Sequence, residues 1–317
     1  MRLAILDDFQ GVVRSVSDWS VIEDRVEITV FRDHPFELGT IAKRLEPFEV
    51  VVVIRERTQF PRALFERLPN LKLLVTGGMR NLGIDLEAAR DHWVTVCGTE
   101  SLGHSTSELT WGLLLATVRN IPREVESVRA GGWQVGLGVL LHGKTLGVIG
   151  LGRQGTPVAG YGRAFGMRVM AWSQNLTAER CVEHGVELAP GLDALLRNSD
   201  VVTIHVVLSD RTRGLIGRRE LGLMKPTAYL INTSRGPIVD EAALIEAVER
   251  GTIAGVGLDV FDIEPMPPDH PFRCLDRVVA TPHLGYTCLE GFRKFFDQGI
   301  EDIDAWLEGK PIRVMNP

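Results

Sequence analysis

The sequence contains no long apolar run. Its longest, such as the Val50 to Ile54 stretch "VVVVI", have the length of a β-strand and are too short to span a bilayer. The N-terminus "MRLAILDDFQ" meets two aspartates before any secretory-type apolar segment can form, so neither a membrane partner nor a leader is expected and the protein is placed in the cytoplasm. Cysteine is scarce. Cys97, Cys181, Cys274 and Cys288 make no CxxC pair and no zinc spacing, which excludes a disulfide framework and a cysteine-built metal site; all four read as packing residues in a reducing compartment. There is no block of like charge: the net charge is −6, with Lys and Arg interspersed among Asp and Glu, so nucleic acid is not an expected partner. Fixed-period repeats and low-complexity tracts are also missing, and "IEPMPPDHP", Ile263 to Pro271, is a Pro-rich loop that regular structure cannot accommodate.

What is present is alternation. Short β-branched runs, "LAIL", "VEITVF", "EVVVVI", "LKLLVT" and "VTVCG", are separated by amphipathic segments such as Leu38, Ile41, Ala42 and Leu45, stopped by Pro47. Parallel strands need crossover helices, so about the first 100 residues should form one α/β layer structure. "STSELTWGLLLATVRN" follows, with Ser105 and Glu108 spaced as a capping box on a strongly apolar helix that reads as an inter-domain connector. The alternation then restarts with "TLGVIG", "MRVMAW", "DVVTIHV", "AYLINTS", "VGLDV" and "RVVAT" as strands, and "DEAALIEAVERG" as a helix with Asp240 as N-cap and Gly251 beyond its end. A chain of 317 residues accommodates two such domains. The last segment carries Phe292, Phe295, Phe296, Ile300, Ile303 and Trp306 at helical spacing and is expected to pack across a domain junction.

"TLGVIGLGRQG" puts Gly150, Gly152 and Gly155 in a GxGxxG turn directly after a strand and at the start of a helix. Small residues serve there to make the tight turn, to admit a pyrophosphate, and to let helix pack on strand, with the phosphate on the helix N-terminus. The following strand ends in Trp172, Ser173, Gln174 and Asn175, where an NAD-preferring site would have a carboxylate. The missing acid at Ser173 removes repulsion against a 2′-phosphate and favours NADP, although only Arg153 and Arg180 are at hand as cations. The cofactor expectation is therefore NAD or NADP.

Three polar residues follow strands in the second half: Arg235 in "INTSRGPIVDE", Glu264 in "LDVFDIEP" and His283 in "TPHLG". In open α/β sheets the carboxyl ends of strands face the ligand. Together with the GLGRQG turn, "MKPTAYLINTSRGPIVDEAAL", "GVGLDVFDIEP" and "TPHLG" resemble, in order, the signatures of the D-isomer-specific 2-hydroxyacid dehydrogenases, of the phosphoglycerate dehydrogenase and glyoxylate/hydroxypyruvate reductase type.

The resemblance implies an α/β fold of two doubly wound parallel-sheet domains. A Rossmann dinucleotide domain, residues 102–284, would be inserted into a flavodoxin-like substrate domain, residues 1–101 and 285–317. It implies hydride transfer between a nicotinamide and C2 of a small 2-keto or 2-hydroxy acid. Arg235 would bind the substrate carboxylate and keto oxygen, His283 would be the general acid/base, and Glu264 would tune it. Asp259 matches the residue that holds the nicotinamide carboxamide. Thr106, Arg153, Gln154, Ser173, Gln174, His205, Val206, Thr212, Thr233 and Gly285 match cofactor-lining positions. On the substrate side, Gly77 and Gly78 of "TGGMRN" match a carboxylate-gripping loop, while Arg55 and Arg57 of "IRERT" resemble the paired arginines of phosphoglycerate-type members. Formate dehydrogenases have glutamine where Glu264 stands. A homodimer through the dinucleotide domain is implied, without a C-terminal regulatory domain. The alternative of another class is an NADH-binding corepressor-like module that binds partners without metabolic turnover.

Overall fold

In the computed structural model, which describes residues 1–317, every ladder between named strands is parallel. The chain divides into two units, Met1–Leu102 with Cys288–Pro317, and Gly103–Thr287. The first holds β1 (Arg2–Ile5), β2 (Glu27–Val30), β3 (Val50–Val53), β4 (Leu73–Thr76) and β5 (Thr95–Gly98) in the order β2-β1-β3-β4-β5. β3 and β4 are buried along their whole length. Their unbroken apolar sequences follow from that, since a parallel sheet is covered on both faces.

The final helix, Leu289–Leu307, lies against β4 and the short helix Val13–Val16. Its stripe of Phe292, Phe295, Phe296, Ile300 and Ile303, expected at a domain junction, is buried inside this unit, with the Phe296 ring 5.8 Å from Trp19. The tail beyond it returns to the free edge of β5. Gly98 N donates to Arg313 O (3.0 Å), Met315 N to Val96 O (2.7 Å), and the Asn316 amide bonds Val94 O and Val96 N. Covering an edge strand in this way removes a site of unwanted pairing.

Asp302, on the same helix, is fully buried and accepts a 2.8 Å bond from Arg313 Nε through one oxygen, while the other has no partner. Burial pushes its carboxyl up to about 7, only partly opposed by Arg313. The folded state therefore binds the proton more tightly than the unfolded one. This contribution to stability is present at low pH and is lost as pH rises from about 4 to about 7. Asn at this position keeps an acceptor for Arg313, whose charge also meets Glu301 at 2.9 Å. Asp302→Asn should thus raise the Tm at pH 8 by a few degrees (about 1 kcal/mol) and converge with the parent near pH 4. A melting series in which the variant is no more stable at pH 8 would overturn this.

The second unit contains β6 (Thr145–Ile149), β7 (Arg168–Trp172), β8 (Glu187–Leu188), β9 (Val201–Ile204), β10 (Tyr229–Asn232), β11 (Gly255–Leu258) and β12 (Val278–Ala280). The order β12-β11-β10-β9-β6-β7-β8 reverses direction between β6 and β9, which makes their carboxyl ends the topological switch point. β8 has two residues, too few for periodicity to reveal. The helix Ser105–Val118, expected as a connector, packs on β10 and β11 and buries Trp111, Leu113, Leu114 and Val118 in this unit's core. Its expected capping box is not formed. His104 is the N-cap, and Ser105 Oγ instead donates to Gly285 O at 2.8 Å.

The helix Glu241–Glu249 starts at Asp240, whose side chain accepts from Ala243 N. It closes with Gly251 N to Val248 O and Thr252 N to Ala247 O, the paired bonds of a Schellman motif. All four cysteines are free. Cys97 and Cys181 are buried, but Cys274 caps the surface turn Pro271–Arg273 and is exposed, so it is not a packing residue. No helix is long and apolar enough to cross a membrane.

Candidate active site

The turn after β6 is set by two glycines whose surroundings leave no room for a Cβ. Gly150 has φ +99°, and a Cβ on it would meet His205 O at 2.7 Å; a Cβ on Gly155 would lie 1.9 Å from Gly150 O. Gly152 differs, with nothing within 4 Å of its Cβ position. The turn is therefore closed on the protein side and open where an anion would approach the N-terminus of the helix Gly155–Ala164, an arrangement that fits a dinucleotide pyrophosphate. Gln154 caps that helix by position and accepts from Ser107 Oγ (3.1 Å), while Arg153 lies beside Gly103.

Around this turn, His205 follows β9, with its Nε2 2.9 Å from Thr203 Oγ1. Desolvation pushes its imidazole down to about 3, which keeps it neutral. Val206 O accepts from Ser234 Oγ (2.5 Å), and a Val206 methyl packs against the Gly150 turn. Ser173 is half-buried and Gln174 exposed at the end of β7. Thr212 is not presented to this turn by any observed contact: its hydroxyl donates to Val207 O (2.6 Å) and accepts from Ser209 N (2.8 Å), closing its own loop.

At the carboxyl ends of the three neighbouring strands β10, β11 and β12 stand Arg235, Glu264 and His283. His283 Nδ1 and Glu264 Oε2 are 2.5 Å apart, and the other Glu264 oxygen accepts from Phe261 N at 2.9 Å. Both carboxylate oxygens are thus committed, and Nε2 is the ring nitrogen that does not face Glu264. His283 has φ +53°, a left-handed conformation that costs a non-glycine residue about 1 kcal/mol. Strain of this kind persists where surrounding bonds over-determine it.

Those bonds come from buried Asp259. Oδ1 accepts from Thr281 Oγ1 (2.7 Å) and Leu284 N (2.7 Å), and Oδ2 accepts from Gly285 N (2.8 Å). Burial raises the Asp259 carboxyl, and the Thr281 and backbone bonds, with nearby His283, oppose the rise. Gly285 O is held in turn by the hydroxyls of Ser105 and Thr106 (2.8 and 2.9 Å). Tyr286 packs edge-on to the imidazole at 5.3 Å.

Arg235 is shaped by Asn232, whose amide nitrogen donates to Arg235 O (3.0 Å) and whose oxygen accepts from Ser234 N (3.0 Å). Thr233 Oγ1 meets Thr110 Oγ1 at 2.7 Å in the core. Asn232, Ser234, Thr281 and Tyr286 were not singled out from the sequence, and Ser105 only as part of a helix cap; each sits inside a motif, but nothing in its residue type points to the bond it makes here.

In the first unit, Arg55 has φ +55° and lies along the glycine turn that follows β4; Cβ atoms on Gly77 and Gly78 would stand 3.1 and 3.2 Å from its side chain. Gly78 N donates to Thr99 Oγ1 at 3.2 Å, so that amide is engaged within the unit. Arg57 Nη1 donates to Asp7 O (2.5 Å), and its guanidinium lies over the Phe9 ring at 4.8 Å.

Residues 111–285 match the family described as D-isomer specific 2-hydroxyacid dehydrogenase, NAD binding domain. The chain belongs to the D-isomer specific 2-hydroxyacid dehydrogenases. Its relatives include dehydrogenases and reductases, oxidoreductases that act on a CH–OH group with NAD. A D-3-phosphoglycerate dehydrogenase of Methanocaldococcus jannaschii is 40% identical over 263 residues, 82% of this chain and 50% of that one, so the chain spans about half the length of this relative. A glyoxylate reductase of Aeropyrum pernix is 40% identical over 264 residues, 80% of this chain and 78% of that one. The crystal structure of a phosphoglycerate oxidoreductase from Vibrio cholerae, 34% identical, covers 98% of this chain and 99% of that chain with a TM-score of 0.92. Within this dehydrogenase family frame, the Gly150–Gly155 turn and the β10–β12 edge lie in the matched NAD-binding segment, at the carboxyl ends of one sheet.

Proposed function

We propose that this chain reduces a small 2-keto acid to a D-2-hydroxy acid, reversibly, with NADH or NADPH. The observation that carries the proposal is the 2.5 Å pair of His283 and Glu264 on a strained loop, at the sheet edge that also bears Arg235. When bound, the reduced nicotinamide supplies the hydride. Gly150, Gly152 and Gly155 would hold its pyrophosphate, with Arg153 and Gln154 at the same helix start, and Ser173 and Gln174 would face the adenosine. His205, Val206, Thr212, Thr233, Thr106 and Gly285 are the proposed lining, and Asp259 would accept from the carboxamide as well as anchoring the loop.

A hydride added to a carbonyl carbon builds negative charge on the oxygen. Arg235 would neutralise that charge and bind the adjacent carboxylate, and His283 Nε2 would donate the proton. Glu264 on Nδ1 favours the imidazolium and fixes the ring. We assign NADP as the preferred partner because no carboxylate stands among Trp172 to Asn175.

Arg55, Arg57, Gly77 and Gly78 are the proposed substrate contacts of the first unit, and two guanidinium groups suit a substrate with a second anion. A cytoplasmic homodimer completes the reading. The apolar residues Ile121, Val125, Val128, Trp133, Leu137 and Leu140, all exposed in the single chain, support a self-association surface on the second unit. A sedimentation mass of one chain would remove the dimer. That the named relatives are dehydrogenases and reductases favours turnover over a partner-binding module.

The test is a steady-state screen of glyoxylate, hydroxypyruvate, phosphohydroxypyruvate and branched 2-keto acids against both reduced nucleotides. Turnover of at least one acid is expected, with NADPH preferred and with Arg57→Ala raising KM about tenfold for the phosphorylated acid alone. No turnover with any pair would sink the proposal.

A further inference from the structure

Glu264 stands on the loop that leaves β11 and runs to His270 through Pro265, Pro267 and Pro268. Prolines lack the N–H that a loop needs to hold itself together. Contacts from outside therefore add to the loop's own His270 N–Pro267 O bond (3.2 Å). One of them is Glu241, first residue of the helix Glu241–Glu249, whose start is fixed by the Asp240 cap. Glu241 Oε2 accepts from Asp262 N at 3.3 Å, and Oε1 meets His270 Nε2 at 3.0 Å. One carboxylate therefore grips both ends of the loop.

His270 is itself oriented. Its Nδ1 accepts from Phe272 N (3.3 Å), which leaves Nε2 to donate to Glu241, and its ring rests on Phe272 at 4.9 Å. Arg273 ties down the middle of the loop through Pro267 O (2.8 Å) and Met266 O (2.7 Å). Asp262 and Phe261, whose amides answer to Glu241 and Glu264 respectively, are consecutive, so a shift at one reaches the other through a single peptide unit. The charged groups around the clamp are Asp240, Asp262 and Arg213. Burial raises the Asp262 carboxyl, Glu241 and Asp240 raise it further, and Arg213 and His270 oppose.

We infer that Glu241 and His270 are positioning residues for the reaction, a second carboxylate–histidine pair outside the site that holds Glu264 against His283 Nδ1. The inference rests on the reading of Glu264 and His283 proposed above. A partly exposed carboxylate–imidazole contact that only ties loop to helix contributes little to stability. Here its effect is directional, because a carboxylate displaced by about 1 Å no longer supports the imidazolium.

The test uses Glu241→Gln and His270→Phe in the full chain, with Glu264→Gln as reference and glyoxylate or hydroxypyruvate as the probe acid. In reduction, His283 must carry its proton, so activity falls on the alkaline side. Weakening Glu264 moves that limb of the kcat/KM profile to lower pH. Each positioning variant should move the limb down by about half a pH unit and lower kcat about tenfold, with KM and the NADPH dissociation constant held within about twofold. Hydrogen exchange across residues 260–272 should quicken in both. Glu241→Gln combined with Glu264→Gln should shift the limb no further than Glu264→Gln alone.

A kcat that falls equally at every pH with the limb unmoved reports lost folded enzyme and overturns the inference, as does wild-type behaviour in both variants. Should Glu264→Gln move the limb while the Glu241 and His270 variants leave it in place, only the clamp falls. A Glu264→Gln enzyme with an unmoved limb takes down the tuning reading and the clamp together. If one variant does not fold, the other decides.

Discussion

Replacing His283 with alanine is expected to lower the rate of hydride transfer by about two to four orders of magnitude while nucleotide binding survives. The alkoxide formed on reduction would then have to take its proton from water, without a positioned acid. The nucleotide turn should not notice, because its closing contacts come from His205, Val206 and the glycines themselves. Nor should the fold. Alanine meets the same left-handed penalty as histidine at φ +53°, and the bonds that impose the conformation come from Asp259 to the neighbouring Leu284 and Gly285 amides. Stopped-flow single turnovers and a fluorescence titration with NADPH separate the two quantities. A variant within about tenfold of the parent rate would remove His283 as the acid.

The second large effect is expected at the glycine turn, where two neighbouring positions should behave differently. A methyl group on Gly155 has no room, lying 1.9 Å from Gly150 O. The helix Gly155–Ala164 must move off β6, so Gly155→Ala should lose about 1–3 kcal/mol of stability and bind nucleotide at least about tenfold more weakly. A methyl on Gly152 meets nothing within 4 Å. Gly152→Ala should therefore melt near the parent temperature and still weaken nucleotide binding, because its methyl occupies the approach to the helix N-terminus. Unchanged NADH and NADPH affinity in Gly152→Ala would show that this turn is not the pyrophosphate cradle.

Much of the architecture follows from local pattern. The valines of β3 read as a strand, and they form one that is buried along its whole length; the spacing of Gly150, Gly152 and Gly155 after "TLGVI" announced a strand–turn–helix, and the close approach of Gly155 to Gly150 supplies its steric reason. Asp240 was visible as a cap because the signal and the bond lie within four residues. The same logic failed at Ser105. Its spacing to Glu108 is that of a capping box, yet a carbonyl 180 residues away, that of Gly285, takes its hydroxyl. The stripe from Phe292 to Ile303 revealed which face is apolar but not what would cover it, and Cys274 carried no sign that it would sit on a surface turn.

By itself, the sequence determined the two rounds of strand and helix, the nucleotide-type turn, and the three polar residues that end successive strands, because each is written in residues close together in the chain. Tertiary structure alone decided which of those residues touch. It set Glu264 against His283 across 19 intervening steps of sequence, engaged Asp259 as the anchor of the histidine loop, and joined Glu241 to both ends of the loop that carries Glu264. Hydrogen bonds of this kind depend on where strands β10, β11 and β12 stop and how their loops fold back. That is a property of the assembled sheet, and no local pattern of residues records it.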